Sequence, residues 1–196
     1  MTASPTRETV AAEGTRARLL DTALALFCHR GFAGTSLQMI ADQLGITKAA
    51  VYHHFKTRDE ILASVIRPAV EDMAAVIADA SAQRTPTARA ERMLVGWVDL
   101  AIRHRSLIAL LQVDPGVKPL LKDQENASIL LEQPCDLLAG HLHGTVGAGI
   151  SAQVALFGIA AAAAKSEVRD LDDDELREIL LDVGRRILGL RRPRTA

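Results

Sequence analysis

The chain has 196 residues and a formal net charge of -1, from 23 basic and 24 acidic side chains, and 48% of its residues are hydrophobic. This composition is typical of a globular protein and excludes disordered and collagen-like chains. The two cysteines, Cys28 and Cys135, are too few for a disulfide framework, which is consistent with a reducing cytosol.

Helical periodicity begins close to the N-terminus. Residues 1–13 are polar and irregular, so we predict a flexible tail there. From Gly14 to Arg30 apolar residues recur at helical spacing, and Gly31 follows as the type of residue that commonly ends a helix. The sequence therefore predicts a first helix over residues 14–30.

Two short helices are predicted next. Thr35 and Gln38 have the spacing of a capping box, so the second helix is predicted to begin at Thr35 and to end at Gly45. Thr47 is a suitable cap for a third helix from Lys48 to Lys56. Two short helices joined by a glycine-containing turn are typical of a helix-turn-helix motif.

The remaining sequence predicts further helices and no strand. Pro68 predicts a kink in one helix, and Pro134 a kink or a break in another. Residues 144–149 are rich in glycine and predict a loop. The predicted helices are Thr57–Ser81, Thr87–His104, Ser106–Val113, Lys118–His143, Ile150–Lys165 and Asp172–Leu190. The predicted fold class is all-α, with about nine helices.

The third predicted helix has an inner and an outer face. Val51 and Phe55 are four residues apart, so they share the inner face and are predicted to pack on the two preceding helices. The outer face carries Lys48, Ala49, Tyr52 and His53. Polar groups mixed with small residues suit a helix that enters the major groove of DNA.

The net charge by itself argues weakly against a nucleic-acid partner, but its distribution does not. Residues 1–67 carry eight basic and six acidic side chains, whereas residues 68–196 carry fifteen and eighteen. The helix-turn-helix region is therefore the mildly positive part of the chain, which is compatible with DNA.

No segment has the pattern of a targeting or membrane-spanning sequence. Residues 1–18 lack the apolar core of a signal peptide. The longest apolar tract, Val154 to Ala164, is shorter than the roughly 20 residues that a membrane-spanning helix needs. We therefore predict a soluble, cytoplasmic protein with no membrane partner.

One stretch of the sequence resembles a known family. It combines a glycine–aromatic pair, a threonine–serine pair, the run Val51 to Phe55, and an acidic pair followed by apolar residues. The matching residues are Gly31, Phe32, Thr35, Ser36, Ile40, Ala41, Leu44, Gly45, Ile46, Thr47, Lys48, Val51, Tyr52, His53, His54, Phe55, Lys56, Asp59, Glu60, Ile61 and Leu62. In this pattern residues 14–63 resemble the DNA-binding domain of the TetR family of bacterial regulators. The rest of the chain resembles the family only in helix count and length.

The resemblance implies a set of DNA-contacting residues. Those implied to contact phosphates are Thr35, Ser36, Thr47, Tyr52, His54 and Arg58, and Lys48 and Lys56 complete the basic part of the surface. Those implied to face bases are Ala49, Ala50, His53 and part of Tyr52. Because Ala49 and Ala50 make no directional base contact, specificity would rest on few side chains, apolar contacts, water or DNA shape.

The resemblance also implies a division of the chain into a tail over residues 1–13, a helix-turn-helix domain over residues 14–60, and a ligand-binding and dimerisation domain over residues 61–196. The implied ligand-pocket residues are Leu94, Trp97, Leu131, Cys135 and Leu138. The implied dimer-interface residues are Phe157, Ala161, Leu176, Ile179, Leu180, Val183 and Ile187. No cofactor is predicted.

The sequence disfavours two other functions, a metal sensor and an enzyme. A metal sensor built on Cys135, His141 and His143 is disfavoured because two histidines at this spacing do not share a helical face. An enzyme is disfavoured because no catalytic triad motif, P-loop or dinucleotide fingerprint occurs. The predicted function is a dimeric, ligand-responsive repressor that binds a palindromic operator in double-stranded DNA and is released by a small-molecule inducer. The alternative is a helical small-molecule-binding or enzymatic protein with a non-functional helix-turn-helix module.

Overall fold

The computed structural model describes residues 7–117, 127–142, 146–168 and 171–191. Within these ranges the chain is all-α, as predicted, and contains no strand. The helices are α1 (Arg7–Arg30), α2 (Leu37–Leu44), α3 (Lys48–His54), α4 (Arg58–Ser81), α5 (Pro86–Arg103), α6 (Arg105–Val113), α7 (Ala127–Ala139), α8 (Val146–Ala163) and α9 (Asp173–Leu188), with 3₁₀ turns at Gly140–Leu142 and Ser166–Val168.

The first helix begins earlier than predicted. Since α1 starts at Arg7, residues 7–13 of the predicted tail are helical, and the prediction of an irregular tail is wrong for them. The helix ends as expected, because Gly31 adopts a φ of 76° that residues with a Cβ rarely adopt. Residues 1–6 lie outside the described ranges.

The cap of α2 is Ser36, and the prediction that Thr35 begins this helix is wrong. The Ser36 hydroxyl accepts a hydrogen bond from the Met39 amide at 3.2 Å. The Thr35 hydroxyl instead donates to the Gly31 carbonyl at 2.9 Å, so it closes the turn after α1. At the end of α2, Gly45 has a φ of 67° and turns the chain toward α3.

Two stretches further along the chain also differ from their predicted bounds. The glycine-rich stretch predicted as a loop is helical from Val146 onward. Within the predicted helix over residues 118–143, α7 occupies Ala127–Ala139, and residues 118–126 and 143–145 are outside the described ranges. Both α4 and α7 continue through their prolines, Pro68 and Pro134.

The helices enclose two hydrophobic clusters. The N-terminal cluster joins α1, α2, α3, the first part of α4 and α6, and it contains Val51 at 0% and Phe55 at 3% exposure. These two residues therefore occupy the inner face that the sequence predicts. The C-terminal cluster joins the second part of α4 with α5, α7, α8 and α9. Because α4 contributes Ile66 to the first cluster and Met73 to the second, this helix connects the two parts of the molecule.

Two ion pairs attach α9 to α5. The Arg177 guanidinium donates to Asp99 at 2.6 Å, and that of Arg185 donates to Glu91 at 2.6 Å. The hydrogen bond to Asp99 raises the pKa of Arg177, against the opposing effect of burial. Since both partners of the second pair are mostly buried, this contact fixes the rotation of α9 about its axis.

Candidate DNA-binding surface

The outer face of α3 is exposed, and most of the predicted DNA-contacting residues lie on or beside it. Tyr52 is 39% exposed although it is a large aromatic residue. The exposed or half-buried members of the predicted set are Ser36, Thr47, Lys48, Ala49, Ala50, Tyr52, His53, His54, Lys56 and Arg58. Four of them, Ser36, Lys48, Tyr52 and Arg58, line one groove.

Two lysines contact Tyr52, one at its ring and one at its backbone. The Lys48 ammonium lies 5.6 Å from the centroid of the Tyr52 ring, within the range of a cation–π contact. The Lys56 ammonium donates to the Tyr52 carbonyl at 2.6 Å. One positive charge is thus placed beside a phenol that is itself a hydrogen-bond donor, which suits contact with a phosphate.

Three capped helix N-termini surround this surface. Ser36 caps α2, Thr47 caps α3 by accepting from the Ala50 amide at 3.2 Å, and Thr57 caps α4 by accepting from the Glu60 amide at 3.1 Å. The α2 and α4 N-termini flank a groove of about 450 Å³ that is also lined by Lys48 and Tyr52. Amide groups in the first turn of a helix, together with its dipole, favour an anion at such a place.

Two uncharged polar residues of this groove are absent from the predicted set. Gln38 and Thr57 both line it. The spacing of Thr35 and Gln38 predicts that Gln38 belongs to a capping box, but its amide donates to Asp42 at 2.7 Å on the surface of α2. Gln38 lies two residues after the cap of α2 and is exposed. This position indicates a role at the candidate DNA-binding surface.

Arg58 has a different role from the phosphate contact that the resemblance implies. Its guanidinium donates to the carbonyls of Phe32, Ala33 and Thr35 at 2.9, 2.9 and 2.7 Å. It also lies 5.1 Å from the centroid of the Phe32 ring. Arg58 therefore holds the turn between α1 and α2 in place.

Thr35 is not available to DNA through its side chain. It is 2% exposed, and its hydroxyl is bonded to the Gly31 carbonyl. The implied phosphate contact is therefore corrected to a structural role in the same turn that Arg58 holds. The reason is that the cap of α2 lies one residue later than predicted, which turns Thr35 inward.

The same turn is also held from α6. The Phe32 amide donates to one carboxylate oxygen of Asp114 at 2.6 Å, and the Gly116 amide donates to the other at 2.8 Å. Asp114 directly follows α6, which packs on α1 within the N-terminal cluster. The backbone of Phe32 is thus bonded at its N–H to Asp114 and at its carbonyl to Arg58.

Four of the five predicted ligand-pocket residues, Leu94, Trp97, Cys135 and Leu138, pack in the C-terminal cluster. Leu94 and Leu138 are fully buried, and the Trp97 indole donates to the Leu156 carbonyl at 3.0 Å. Cys135 packs against the same cluster, and its burial raises the pKa of its thiol, as does the nearby charge of Asp136. The side chain of Leu131 lies outside the described residues.

The predicted dimer residues divide between two faces. Phe157, Ile179 and Val183 are 57%, 46% and 42% exposed, and Ala161 and Ile187 are half-buried. Leu176 and Leu180, at 2% and 4% exposure, belong to the C-terminal cluster of their own chain. Their prediction as interface residues is corrected, because the two leucines lie on the face of α9 that packs against α5.

Further exposed apolar residues extend this surface. Val146, Ile150 and Val154 follow one another at intervals of four residues on α8, and each is more than half exposed. By length and composition alone, α8 is apolar enough to cross a membrane. Its other face, with Ala152 and Ile159, is buried in the C-terminal cluster. The described part of α8 and α9 thus presents an apolar strip, made of Val146, Ile150, Val154, Phe157, Ile179 and Val183.

Comparison with known proteins finds a family profile and several relatives that resemble the N-terminal part of the chain. A family profile described as "Bacterial regulatory proteins, tetR family" matches residues 19–65. The HTH-type transcriptional repressor KstR2 of Rhodococcus jostii is 36% identical over 73 residues, which are 37% of this chain and 36% of that protein. The HTH-type transcriptional regulator AcrR of Shigella flexneri is 41% identical over 54 residues, covering 28% of this chain and 25% of that protein. The chain thus spans about a third or less of the length of these relatives.

Solved structures resemble the chain over nearly its whole length. SCO3833 of Streptomyces coelicolor, a member of the TetR transcriptional regulator family, has a TM-score of 0.71 at 20% identity and covers 98% of this chain and 96% of its own. The ketosteroid transcriptional regulator KstR2 of Mycobacterium tuberculosis has a TM-score of 0.65 at 19% identity, with coverage of 89% and 93%. At these identities the likeness establishes the fold of the chain.

Proposed function

Since the chain belongs to the TetR family of bacterial regulatory proteins through its N-terminal domain, we propose that it is a DNA-binding transcriptional repressor. It acts as a homodimer on a palindromic operator and is released by a small-molecule inducer. The observation that carries this proposal is the exposed outer face of α3, where His53 is exposed and Tyr52 lines the groove between the capped N-termini of α2 and α4.

DNA is bound by placing α3 in the major groove. Ala49 is small and exposed, so it lets the helix approach the base edges closely, and His53 supplies a side chain that hydrogen-bonds to them. Lys48, Tyr52 and the N-terminus of α2 at Ser36 contact phosphates on either side. These contacts fix the position of the helix on the duplex, and the few base contacts provide the sequence preference.

The apolar strip on α8 and α9 supports a homodimer. Six large apolar side chains on two adjacent helices are more than two-fifths exposed, and an exposed patch of this kind is typical of an interface between proteins. Pairing two identical strips about a two-fold axis buries both of them. A two-fold axis relates the two copies of α3, which matches the symmetry of a palindromic site.

The distribution of charge along the chain makes DNA binding depend on both copies of the chain in the dimer. The N-terminal 67 residues carry two more basic than acidic side chains, whereas the rest of the chain carries three more acidic than basic ones. One DNA-binding domain therefore has little electrostatic attraction for DNA, and two linked domains gain affinity through their effective concentration. An inducer releases the dimer if it binds more tightly to the state whose two α3 helices do not match the operator.

The direct test is fluorescence anisotropy with labelled DNA from upstream of the gene for this protein, using scrambled DNA of equal length as the control. We expect saturable binding of the dimer to the upstream fragment at low salt. His53→Ala should reduce the difference in affinity between the upstream fragment and scrambled DNA, whereas Tyr52→Phe should weaken binding to both. An intact dimer that does not bind the upstream fragment would contradict the proposal and favour the helical protein with a non-functional motif.

A further inference from the structure

A cleft of about 900 Å³ lies between the DNA-binding domain and the C-terminal part of the chain. Its walls are α1, α6 and the C-terminal end of α8. The volume lies in the range of roughly 300–1,000 Å³ that is typical of small-molecule sites. Because the predicted pocket residues are packed elsewhere, this cleft is a separate place where the structure offers room for a ligand.

The two long walls of the cleft are largely apolar. Leu24 and Ala25 lie on the α1 side, and Ala109 and Val113 lie on the α6 side. Val113 is 81% exposed, which is unusual for a large aliphatic residue and leaves its side chain free to contact a bound molecule. An apolar ligand body that lies between these helices removes this surface from water.

Lys165 offers the cleft a positive charge that can pair with an anion. It is exposed and forms no ion pair with any residue that the structure describes. Arg105 also lines the cleft, but it donates to Asp173 at 2.9 Å, so that carboxylate balances its charge. Asp114, an acidic residue of the lining, has both carboxylate oxygens bonded to backbone amides, and the second acidic residue, Asp21, lies on α1.

We propose that this cleft binds an amphipathic organic anion, with its apolar body between α1 and α6 and its anionic group at Lys165. A carboxylate on an aliphatic chain has the required chemistry. Such a ligand contacts both parts of the molecule at once, because α1 belongs to the DNA-binding domain and α8 to the C-terminal cluster. It also lies beside Gly31 and Asp114, at the hydrogen bond that joins α6 to the turn before α2.

The first test measures binding of a fluorescent aliphatic carboxylate, 11-(dansylamino)undecanoate, to the full chain in the absence of DNA. Ala25→Trp places a large side chain in the cleft from an exposed position of α1, so binding should weaken by about tenfold or more. Ala78→Trp, at an exposed position of α4 outside the cleft, is the matched control and should leave affinity within about twofold of the unsubstituted protein. Equal affinity of the two variants for the probe would overturn the proposal.

The second test addresses the charge of the ligand. Lys165→Gln should weaken binding of decanoate by about tenfold, because a charge-assisted contact is lost, and should leave binding of 1-decanol unchanged. Both ligands are measured by displacement of the fluorescent probe. Displacement by decanol as strong as that by decanoate, with no effect of Lys165→Gln, would overturn the assignment of an anionic ligand.

The third test needs no substitution. Cys28 is exposed and lines the cleft, whereas Cys135 lies in the C-terminal cluster. Saturating 11-(dansylamino)undecanoate should slow the alkylation of Cys28 by N-ethylmaleimide and should leave the alkylation rate of Cys135 unchanged. Mass spectrometry of the peptides measures both rates. Unchanged alkylation of Cys28 in the presence of bound probe would place the probe elsewhere and contradict the proposal.

The effect of the ligand on DNA binding rests on the proposed function and is measured separately. If the unliganded dimer binds its upstream DNA, saturating decanoate should change that affinity in the unsubstituted protein and not in Ala25→Trp. A DNA affinity that decanoate leaves unchanged would contradict the coupling between the cleft and DNA. Absence of DNA binding without ligand would contradict the proposed function itself, whereas the three ligand measurements do not involve DNA.

Discussion

At the scale of single residues, the surface contains two kinds of basic side chain. Lys48 is exposed and lies beside the Tyr52 ring on the outer face of α3. Arg58 is committed to three backbone carbonyls and to the Phe32 ring. The sequence pattern treats both as DNA contacts, because it records residue type and spacing and not the partners that a side chain finds in the folded chain. The two roles predict different responses to substitution.

Arg58→Lys should destabilise the protein by about 1–2 kcal/mol, because a lysine cannot reproduce the planar guanidinium that reaches three carbonyls and stacks on Phe32. Lys48→Gln should leave stability unchanged and should reduce the slope of log affinity for DNA against log salt by about one, as expected for a lost phosphate contact. Denaturant unfolding and anisotropy at several salt concentrations measure the two effects. A reduced salt slope in Arg58→Lys without loss of stability would show that Arg58 contacts phosphate.

A second residue-scale prediction concerns pH. The pKa of Asp72 on α4 is held below its ordinary value, chiefly by the hydrogen bond with His104 at 2.8 Å and also by Arg103, against the opposing effect of burial. A carboxyl whose pKa is lower in the folded state stabilises the protein above its unfolded pKa of about 4. That contribution is lost as the pH falls through the folded value.

The free energy of unfolding should therefore decrease as the pH is lowered below about 4, and Asp72→Asn should make this decrease less steep. Denaturant unfolding between pH 2.5 and 6 measures it, with Asp136→Asn as the control, since Asp136 is an exposed carboxylate on another helix. Identical pH dependence of the unsubstituted protein and Asp72→Asn would contradict the role assigned to the contact between α4 and His104.

At the scale of helices, local signals and tertiary packing were predictable to different degrees. The inner face of α3 and the glycines after α1 and α2 follow from the sequence, because caps and periodicity are local properties. The exposed face of α9 does not follow from the sequence. Leu176, Ile179, Leu180 and Val183 form one continuous apolar stripe, and only packing against α5 divides it into a buried and an exposed part. Likewise, α8 is apolar all round, so its periodicity did not indicate which face is buried.

This division predicts two outcomes for one kind of substitution on α9. Val183→Glu should weaken the dimer and leave the fold intact, because its side chain is 42% exposed in the single chain. Leu180→Glu should unfold the protein, since it buries an unpaired carboxylate in the C-terminal cluster. Sedimentation velocity and circular dichroism distinguish them. A Val183→Glu protein that remains dimeric at micromolar concentration would place the interface on another surface.

At the scale of the whole molecule, the DNA-binding surface is joined to the rest of the chain in two places. One is α4, which contributes to both hydrophobic clusters. The other is α6, whose end holds the Phe32 amide through Asp114. The all-α fold and the exposed outer face of α3 could be predicted from the sequence, but the cleft between α1 and α6 could not. The cleft arises from residues about 80 positions apart that only the tertiary fold brings together.

The central claim is that two copies of α3 bind one operator in adjacent turns of the major groove. Hydroxyl-radical footprinting of the full-length dimer on its upstream DNA tests it most directly. We expect two protected patches on one face of the duplex, whose centres are separated by about 10 base pairs or by a multiple of that distance. We also expect that Val183→Glu abolishes both patches together at concentrations where the unsubstituted protein gives full protection. A single patch, or protection that persists in monomeric Val183→Glu, would contradict the central claim.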